Sequence, residues 1–343
     1  MTAAVDPRII GTGYAVPSGI RSNDDPIFDW LKANDPHYSQ YFDGYRHRRY
    51  LTPPETVTDL MMKAAQNALN QAGLDASQID LLIGDASVSD YLMPNAISGL
   101  HHRLGLAPRV LPLALTSGFS QFNVAMMMAD ALIRAGRASY VLIVLGDNWT
   151  QFVDYHTGQS YSAGDGAAAC VVGPARSRAD WAYLDSRTIA DTSYYGTMFM
   201  APDPAPNHGA PTVEFGLPTF HITDAGLQGF RAFGEQTSGD AALDLLNAHP
   251  EIKRDANGQW TDVCLITHQA SQVLSDNWKK QINPGNVVQT IEKYANMVHC
   301  SVPLNLAYAT LHPTECSFTQ NYLLTLSLGP DMHANATLFR RNF

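Results

Sequence analysis

The side chains in this sequence that could do chemistry are its cysteines, a few histidines, one serine near a helix start and one run of arginines. Cys170, Cys264, Cys300 and Cys316 are scattered without CxxC pairing, which indicates neither a zinc site nor a disulfide framework; buried free thiols are expected. His101-His102 and His221 have no Cys, Asp or Glu at ligand spacing, so no metal is predicted. Arg46, His47, Arg48 and Arg49 form the densest basic cluster, suited either to a phosphate or to a solvated loop paired with Asp43 and Glu55. Taken alone, His268 reads as a core histidine at a strand end, Asn296 as a turn or cap residue, and Ser120 as a helix N-cap or first-turn residue. Gly11-Thr12-Gly13 lacks the third glycine of a dinucleotide fingerprint, so no nicotinamide or flavin cofactor is predicted.

The elements that must position these residues alternate between short apolar runs and longer helical stretches, the pattern of α/β layers. Strands are expected at Arg8 to Gly13, Ile79 to Asp85, Val110 to Leu115, Tyr140 to Leu145 and Ala167 to Val172. Helices are expected at Val57 to Ala72, closed by Gly73, at Ala96 to Leu104, and at Ser120 to Ala135, stopped by Gly136. From about Pro174 to Pro218 the chain is rich in Pro, Asp, Ser and Tyr and shows no period. A half-domain boundary and long loops that could cover a site are placed there, dividing the chain into 1–173 and 174–343. The alternation then resumes: helices at Ala225 to Ala248, Ser271 to Ile282 and Ser301 to Leu311, strands at Val263 to Thr267, Asn321 to Leu328 and Ala336 to Arg340.

At 343 residues and 45% hydrophobic content, the chain can bury one large core or two fused ones. Its net charge of −10 argues against a nucleic-acid binder or a protein drawn to anionic membranes. The N-terminus has no basic-then-apolar signal layout and no stretch is apolar enough to span a bilayer, so a cytoplasmic protein is expected.

Several segments together resemble the ketoacyl-synthase III family of the thiolase superfamily. They are Ile9-Ile10-Gly11-Thr12-Gly13 with Pro17, Gly44-Tyr45-Arg46-His47-Arg48-Arg49 with Pro54-Glu55-Thr56, and the turn Gly164-Asp165-Gly166-Ala167-Ala168. In the second half, Thr267-His268-Gln269-Ala270 is similar to the family's "PHQA", and Ala295-Asn296 to its "GN", followed by Ser301-Val302-Pro303. The resemblance implies a thiolase fold, two βαβαβ-type halves stacked as five layers (αβαβα), usually as a homodimer. It also implies that His268 and Asn296 donate hydrogen bonds to a thioester oxygen and stabilise an enolate, such donors contributing a few kcal/mol each. Arg46 and Arg49 would lie near the mouth of the pantetheine tunnel, holding a CoA phosphate or an acyl carrier protein. Met93 falls where the family's acyl pocket receives a residue from the partner.

The sequence departs from the family at the acylation site. An ungapped comparison anchored on Ala129-Asp130, Gly136 and Gly146-Asp147 puts Phe119 at the position of the nucleophilic cysteine, which in the family opens the long helix. Ser120 is the adjacent hydroxyl, for which His268 could act as base. Leu328-Gly329-Pro330-Asp331-Met332 stands where the family has a glycine-rich loop, so proline removes an N–H donor and Asp331 adds a carboxylate. Met297 follows Asn296 where the family usually has threonine, and Met297 and Met332 are placed among the substrate-binding residues. Cys300 reads as core.

The expected function is therefore that of a noncanonical ketosynthase-like acyltransferase acting on a CoA- or carrier-bound acyl thioester, with no cofactor beyond that substrate. Direct transfer, condensation and malonyl decarboxylation stay open. The alternative is a noncatalytic subunit paired with a cysteine-bearing paralogue.

Overall fold

Apolar runs without polar alternation, such as Leu81–Ala86 and Val141–Asp147, make strands buried on both faces, and these need helices on either side. A computed structural model describes residues 6–91, 93–202, 218–316 and 318–341. In its first half lie β1 (Pro7–Ala15), β2 (Gly19–Ser22), α1 (Asp29–Asn34), β3 (His47–Tyr50), α2 (Val57–Ala72), β4 (Leu81–Ala86) and α3 (Ala96–Arg103). They are followed by β5 (Leu111–Ala114), α4 (Gln121–Arg134), β6 (Val141–Asp147) and β7 (Gly166–Pro174). The chain continues through β8 (Trp181–Ala190), β9 (Met198–Pro202), β10 (Pro218–Ile222), α5 (Asp224–Asn247), β11 (Trp260–Thr267) and α6 (Gln272–Ile282). It ends with β12 (Pro284–Val288), α7 (Ile291–Tyr294), α8 (Ser301–Leu311), β13 (Tyr322–Leu328) and β14 (His333–Arg340).

Ten strands join in the order β12-β11-β13-β14-β8-β1-β7-β6-β4-β5. Read outward from the centre, the two sides repeat one another. β1-β7-β6-β4-β5 and β8-β14-β13-β11-β12 each pair as antiparallel, antiparallel, parallel, parallel. The two sets meet only at Arg8 with Ala182 and Ile9 with Trp181.

The period-two alternation of each strand then sorts its side chains between layers. Leu81 and Ile83 of β4 face a central core shared with Phe122 and Met126 of α4, Leu304 of α8, and Cys264 and Leu323 of the other strand set. Leu82 faces the opposite way, onto Leu60 and Met61 of α2 and Ile97 of α3. Leu265 and Leu324 pack on Leu245 of α5 and Trp278 of α6. The result is the αβαβα stack that the resemblance implies, with α4 and α8 in the middle layer. Gly11 and Gly13 serve this packing, because a Cβ there would come within 2.4 Å and 2.3 Å of the carbonyl oxygens of Ala68 and Ala64 in α2.

The aperiodic stretch after Pro174 contains more structure than its composition suggests. β8 crosses it as the innermost strand of the second set, beside β1, and β9 and β10 pair antiparallel beyond it. β8 escapes notice in the sequence because its middle is polar: Asp185, Ser186 and Arg187 are half-exposed and Thr188 is exposed. Part of the expected loop, 203–217, lies outside the described residues.

Candidate active site

Parallel strands end at their carboxyl edges in loops, and here those loops converge from both strand sets. His268 directly follows β11, its N–H bonded to the Leu326 carbonyl at 2.8 Å. Asn296 sits between α7 and α8, its N–H bonded to the Ser162 carbonyl at 2.9 Å and its own carbonyl accepting from the Trp149 indole at 2.9 Å. Phe119 sits at the corresponding place of the first set, between β5 and α4. These residues line one cavity of about 370 Å³. Its walls are largely apolar, with Tyr41, Trp149, Met198, Phe199, Phe220 and Phe230 prominent. Three of these belong to β9 and β10.

The imidazole of His268 is 2% exposed and meets two oxygens, the Leu328 carbonyl 3.1 Å from Nδ1 and Asn296 Oδ1 3.1 Å from Nε2. Burial pushes its pKa down to about 4, against the favourable effect of both hydrogen bonds, so the ring is neutral near pH 7. A carbonyl can only accept, which places the single proton on Nδ1 and leaves Nε2 bare. The Asn296 amide is oriented by the Val298 N–H, which donates to Oδ1 at 2.9 Å. Two acceptors therefore face each other, a mismatch that disappears when Nε2 gains a proton. Among the described residues no acceptor meets Asn296 Nδ2, so that amide remains available as a donor at the cavity wall.

Phe119 is held with φ 72° after Gly118 at φ 42°, a left-handed pair at the head of α4. Its ring lies 5.5 Å from that of His268, edge to face. Ser120 follows, but its hydroxyl turns away: it is 1% exposed, does not line the cavity, and lies 2.9 Å from His333 Nε2. His333 Nδ1 is 2.6 Å from Asp331 Oδ1, so Nδ1–H donates to the carboxylate and Ser120 donates to Nε2. This serine–histidine–aspartate chain clamps the closing loop onto α4. Gly329 allows it, since a Cβ there would lie 2.3 Å from the Gly118 carbonyl oxygen. His333→Ala should cost about 1–2 kcal/mol of stability in urea denaturation while leaving turnover within a few-fold. A loss of turnover matching that of a His268 variant would instead make the clamp catalytic.

Residues 115–192 match the sequence model of the 3-oxoacyl-[acyl-carrier-protein] synthase III family. The β-ketoacyl-[acyl-carrier-protein] synthase III of Rhodospirillum rubrum is 28% identical over 274 residues, covering 78% of this chain and 79% of that relative. The synthase III 1 of Vibrio cholerae is 28% identical over 309 residues, 87% and 89% of the two chains. The priming β-ketosynthase from the R1128 polyketide biosynthetic pathway superposes with a TM-score of 0.80 at 23% identity, over 99% of this chain and 97% of that one. The chain is similar in sequence to ketoacyl synthases III and shares the fold of a solved ketosynthase.

Several residues singled out in the ketosynthase-like sequence are not where the motif pattern puts them. His268 is not the base for Ser120, because His333 occupies that hydroxyl. Neither Arg46 nor Arg49 lines the cavity: exposed Arg46 is 3.4 Å from Glu292, and Arg49 donates to the Pro17 carbonyl at 3.2 Å. Arg231, on α5, is the cation at the cavity wall. Met297 is 1% exposed in the central core and Met332 is fully buried, so neither touches the cavity. Met93 is 87% exposed and contributes nothing to the cavity of its own chain. Cys300 is buried and its thiol pKa is pushed well up by burial. Asp331 does not stand free near the cavity but is engaged by His333.

Sequence reading missed Asp85, Gln121, His299 and His333. Asp85 did carry a signal, as a carboxylate inside the apolar strand run Leu81–Ala86. His299 lies just before α8 and lines the cavity, its Nε2 3.0 Å from the Gly146 carbonyl.

Proposed function

We propose that this protein transfers an acyl group from a CoA- or carrier-protein-bound thioester directly to an acceptor nucleophile, without a covalent acyl-enzyme. The observation that carries this reading is the bare Nε2 of a buried, neutral His268 beside the free Nδ2 of Asn296, with the Phe119 ring 5.5 Å from the imidazole. No cysteine lines the cavity among the described residues. Its serine and threonine hydroxyls are engaged elsewhere: Ser87 on Asp147, Thr116 on Asp85, Ser162 on the Gln159 carbonyl and Ser271 as the cap of α6.

In this mechanism the acceptor O–H or N–H gives its proton to His268 Nε2 as its lone pair forms a bond to the thioester carbon. Asn296 Nδ2 donates to the developing oxyanion, and the imidazolium is held between the Leu328 carbonyl and Asn296 Oδ1. As the C–S bond breaks, the thiolate recovers the proton from Nε2. Holding both reactants in one cavity replaces the covalent step with proximity. The tautomer favours transfer over malonyl decarboxylation, which needs His268 as a donor rather than an acceptor. Arg231, whose Nε donates to Glu235 at 2.8 Å, keeps its other N–H groups for a phosphate of the donor. The exposed side chains of Tyr91 and Met93, 69% and 87% accessible, fit burial in a dimer, with a second copy or a cysteine-bearing paralogue.

A pH profile tests the assignment. The base acts only when unprotonated, so kcat/KM should be flat through neutrality and fall on acidification with a midpoint near 4. A limb near 6.5 would mean that the working base is a solvent-exposed histidine and not His268.

A further inference from the structure

Between neutral His268 and Asn296 two lone pairs face each other at 3.1 Å, an approach that does not draw their loops together. The two residues are also anchored to different parts of the fold. Asn296 is held by the first strand set: its N–H bonds to the Ser162 carbonyl, and its own carbonyl accepts from the Trp149 indole and from the Gly164 N–H at 3.1 Å. His268 is held by the second, on the carbonyls of Leu326 and Leu328. The next residue, Gln269, is 1% exposed and joins them. Its Oε1 accepts from the Thr290 N–H at 2.7 Å, which turns Nε2 to the Ala295 carbonyl at 3.2 Å, with Thr290 Oγ1 at 3.5 Å. One amide thus spans α7 from the residue before the helix to the residue after it, and Ala295 leads directly into Asn296. Apart from these bonds and the pair itself, segments 268–272 and 289–296 share, among the described residues, an exposed bond from Gln289 Nε2 to Gln272 Oε1 at 3.3 Å. Ala295 is fully buried with φ 58° and ψ −147°, a conformation unfavourable for a residue other than glycine, which persists where its neighbours fix it.

We infer that Gln269 is a positioning residue whose amide holds the His268 and Asn296 loops at the separation that acyl transfer requires. The inference deepens the transfer reading and rests on it for the step that the pair performs. Gln269 does not line the cavity, so it acts through the pair and not on a substrate. With the amide in place, Nε2 stays bare but close to Asn296 Oδ1, and the proton taken from the acceptor completes a hydrogen bond there. Asn296 Nδ2 meanwhile keeps its aim at the oxyanion. Without the amide, the facing lone pairs relax by moving apart, and the imidazolium loses an acceptor when it forms.

Gln269→Met keeps the length of the side chain and removes its bonds to Thr290 and Ala295. In a crystal structure of the variant, the distance from His268 Nε2 to Asn296 Oδ1 should open from 3.1 Å to beyond about 3.5 Å, a readout that needs no turnover. In steady-state kinetics kcat should fall about tenfold or more, while the Kd of an octanoyl-CoA thioether analogue stays within about twofold. In an Asn296→Ala background the same substitution should cost less than about a further twofold, because the pair it holds is already gone. A distance that stays at 3.1 Å, an unchanged kcat, or a comparable loss in the Asn296→Ala background overturns the inference, the last by showing a merely structural role. Should Gln269→Met fail to fold, Gln269→Glu keeps the bond from the Thr290 N–H and, while ionised, loses the one to Ala295. It is carried through the same measurements with the same expected results. If the wild-type protein turns over no thioester, direct transfer fails, and the variant's crystal structure alone decides whether Gln269 holds the pair.

Discussion

His268→Ala is expected to lower kcat/KM for acyl transfer by about 10²–10⁴-fold, the range for loss of a positioned general base. The variant should still bind an acyl-CoA thioether analogue, because the cavity walls that hold the chain belong largely to other elements: Tyr41, Trp149, Met198, Phe199 and Phe220. His268→Gln offers a sharper form of the test. An amide can keep a hydrogen bond to the Leu328 carbonyl but cannot take up a proton, so the loss should persist. Steady-state kinetics paired with binding by calorimetry separates the two effects. Unchanged kcat/KM in His268→Ala would remove His268 from the chemistry.

Arg48→Met should destabilise the fold by about 3–5 kcal/mol, through loss of several charge-assisted hydrogen bonds from a buried site. The Arg48 side chain is fully buried. Its Nε and Nη2 donate to the Tyr161 carbonyl at 2.8 Å and 2.6 Å, and Nη1 donates to the Asn23 side chain. The guanidinium also lies 4.4 Å from the centre of the Tyr161 ring and 5.1 Å from that of Phe28. Methionine fills part of the volume but leaves the Tyr161 carbonyl and Asn23 Oδ1 without donors. The next residue along, Ser162, supplies the carbonyl that holds the Asn296 N–H, so the same change should loosen the site. Urea denaturation would show the effect as a lower midpoint at unchanged m-value. A change below about 1 kcal/mol would mean that water replaces the guanidinium at little cost.

What could be read from the sequence follows from how strongly each feature is encoded locally. α2 was legible because Thr56 and Asp59 form a capping box and Gly73 closes the helix in the left-handed region. β4 and β6 were legible as unbroken apolar runs. β8 was not, since a strand flanked by others on both sides can carry polar residues once its backbone is paired. At the site, His268 and Asn296 were found through their motif, and their pairing at 3.1 Å was not foreseeable from a separation of 28 residues. The arginine run misled for a physical reason: successive residues of β3 point to opposite faces, so buried Arg48 and half-buried Arg49 do unrelated work, and exposed Arg46 lies before the strand. Ser120 was placed at the start of α4, but the partner of its hydroxyl lies 213 residues away at His333, beyond any local pattern. The contact between Asp85 and Gln121 was equally hidden, because they come from different elements and meet only when β4 and α4 pack.

The central claim is that acyl transfer proceeds here without a bond between acyl group and protein. Intact-protein mass spectrometry during incubation with acetyl-, malonyl- and longer acyl-CoA donors, with free CoA and carbon dioxide followed in parallel, tests it most directly. The account predicts CoA release that depends on an acceptor, no carbon dioxide, and an unmodified protein mass throughout. An acyl adduct, whether on Ser120 or on any cysteine, would contradict it, as would the absence of CoA release with every donor and acceptor supplied.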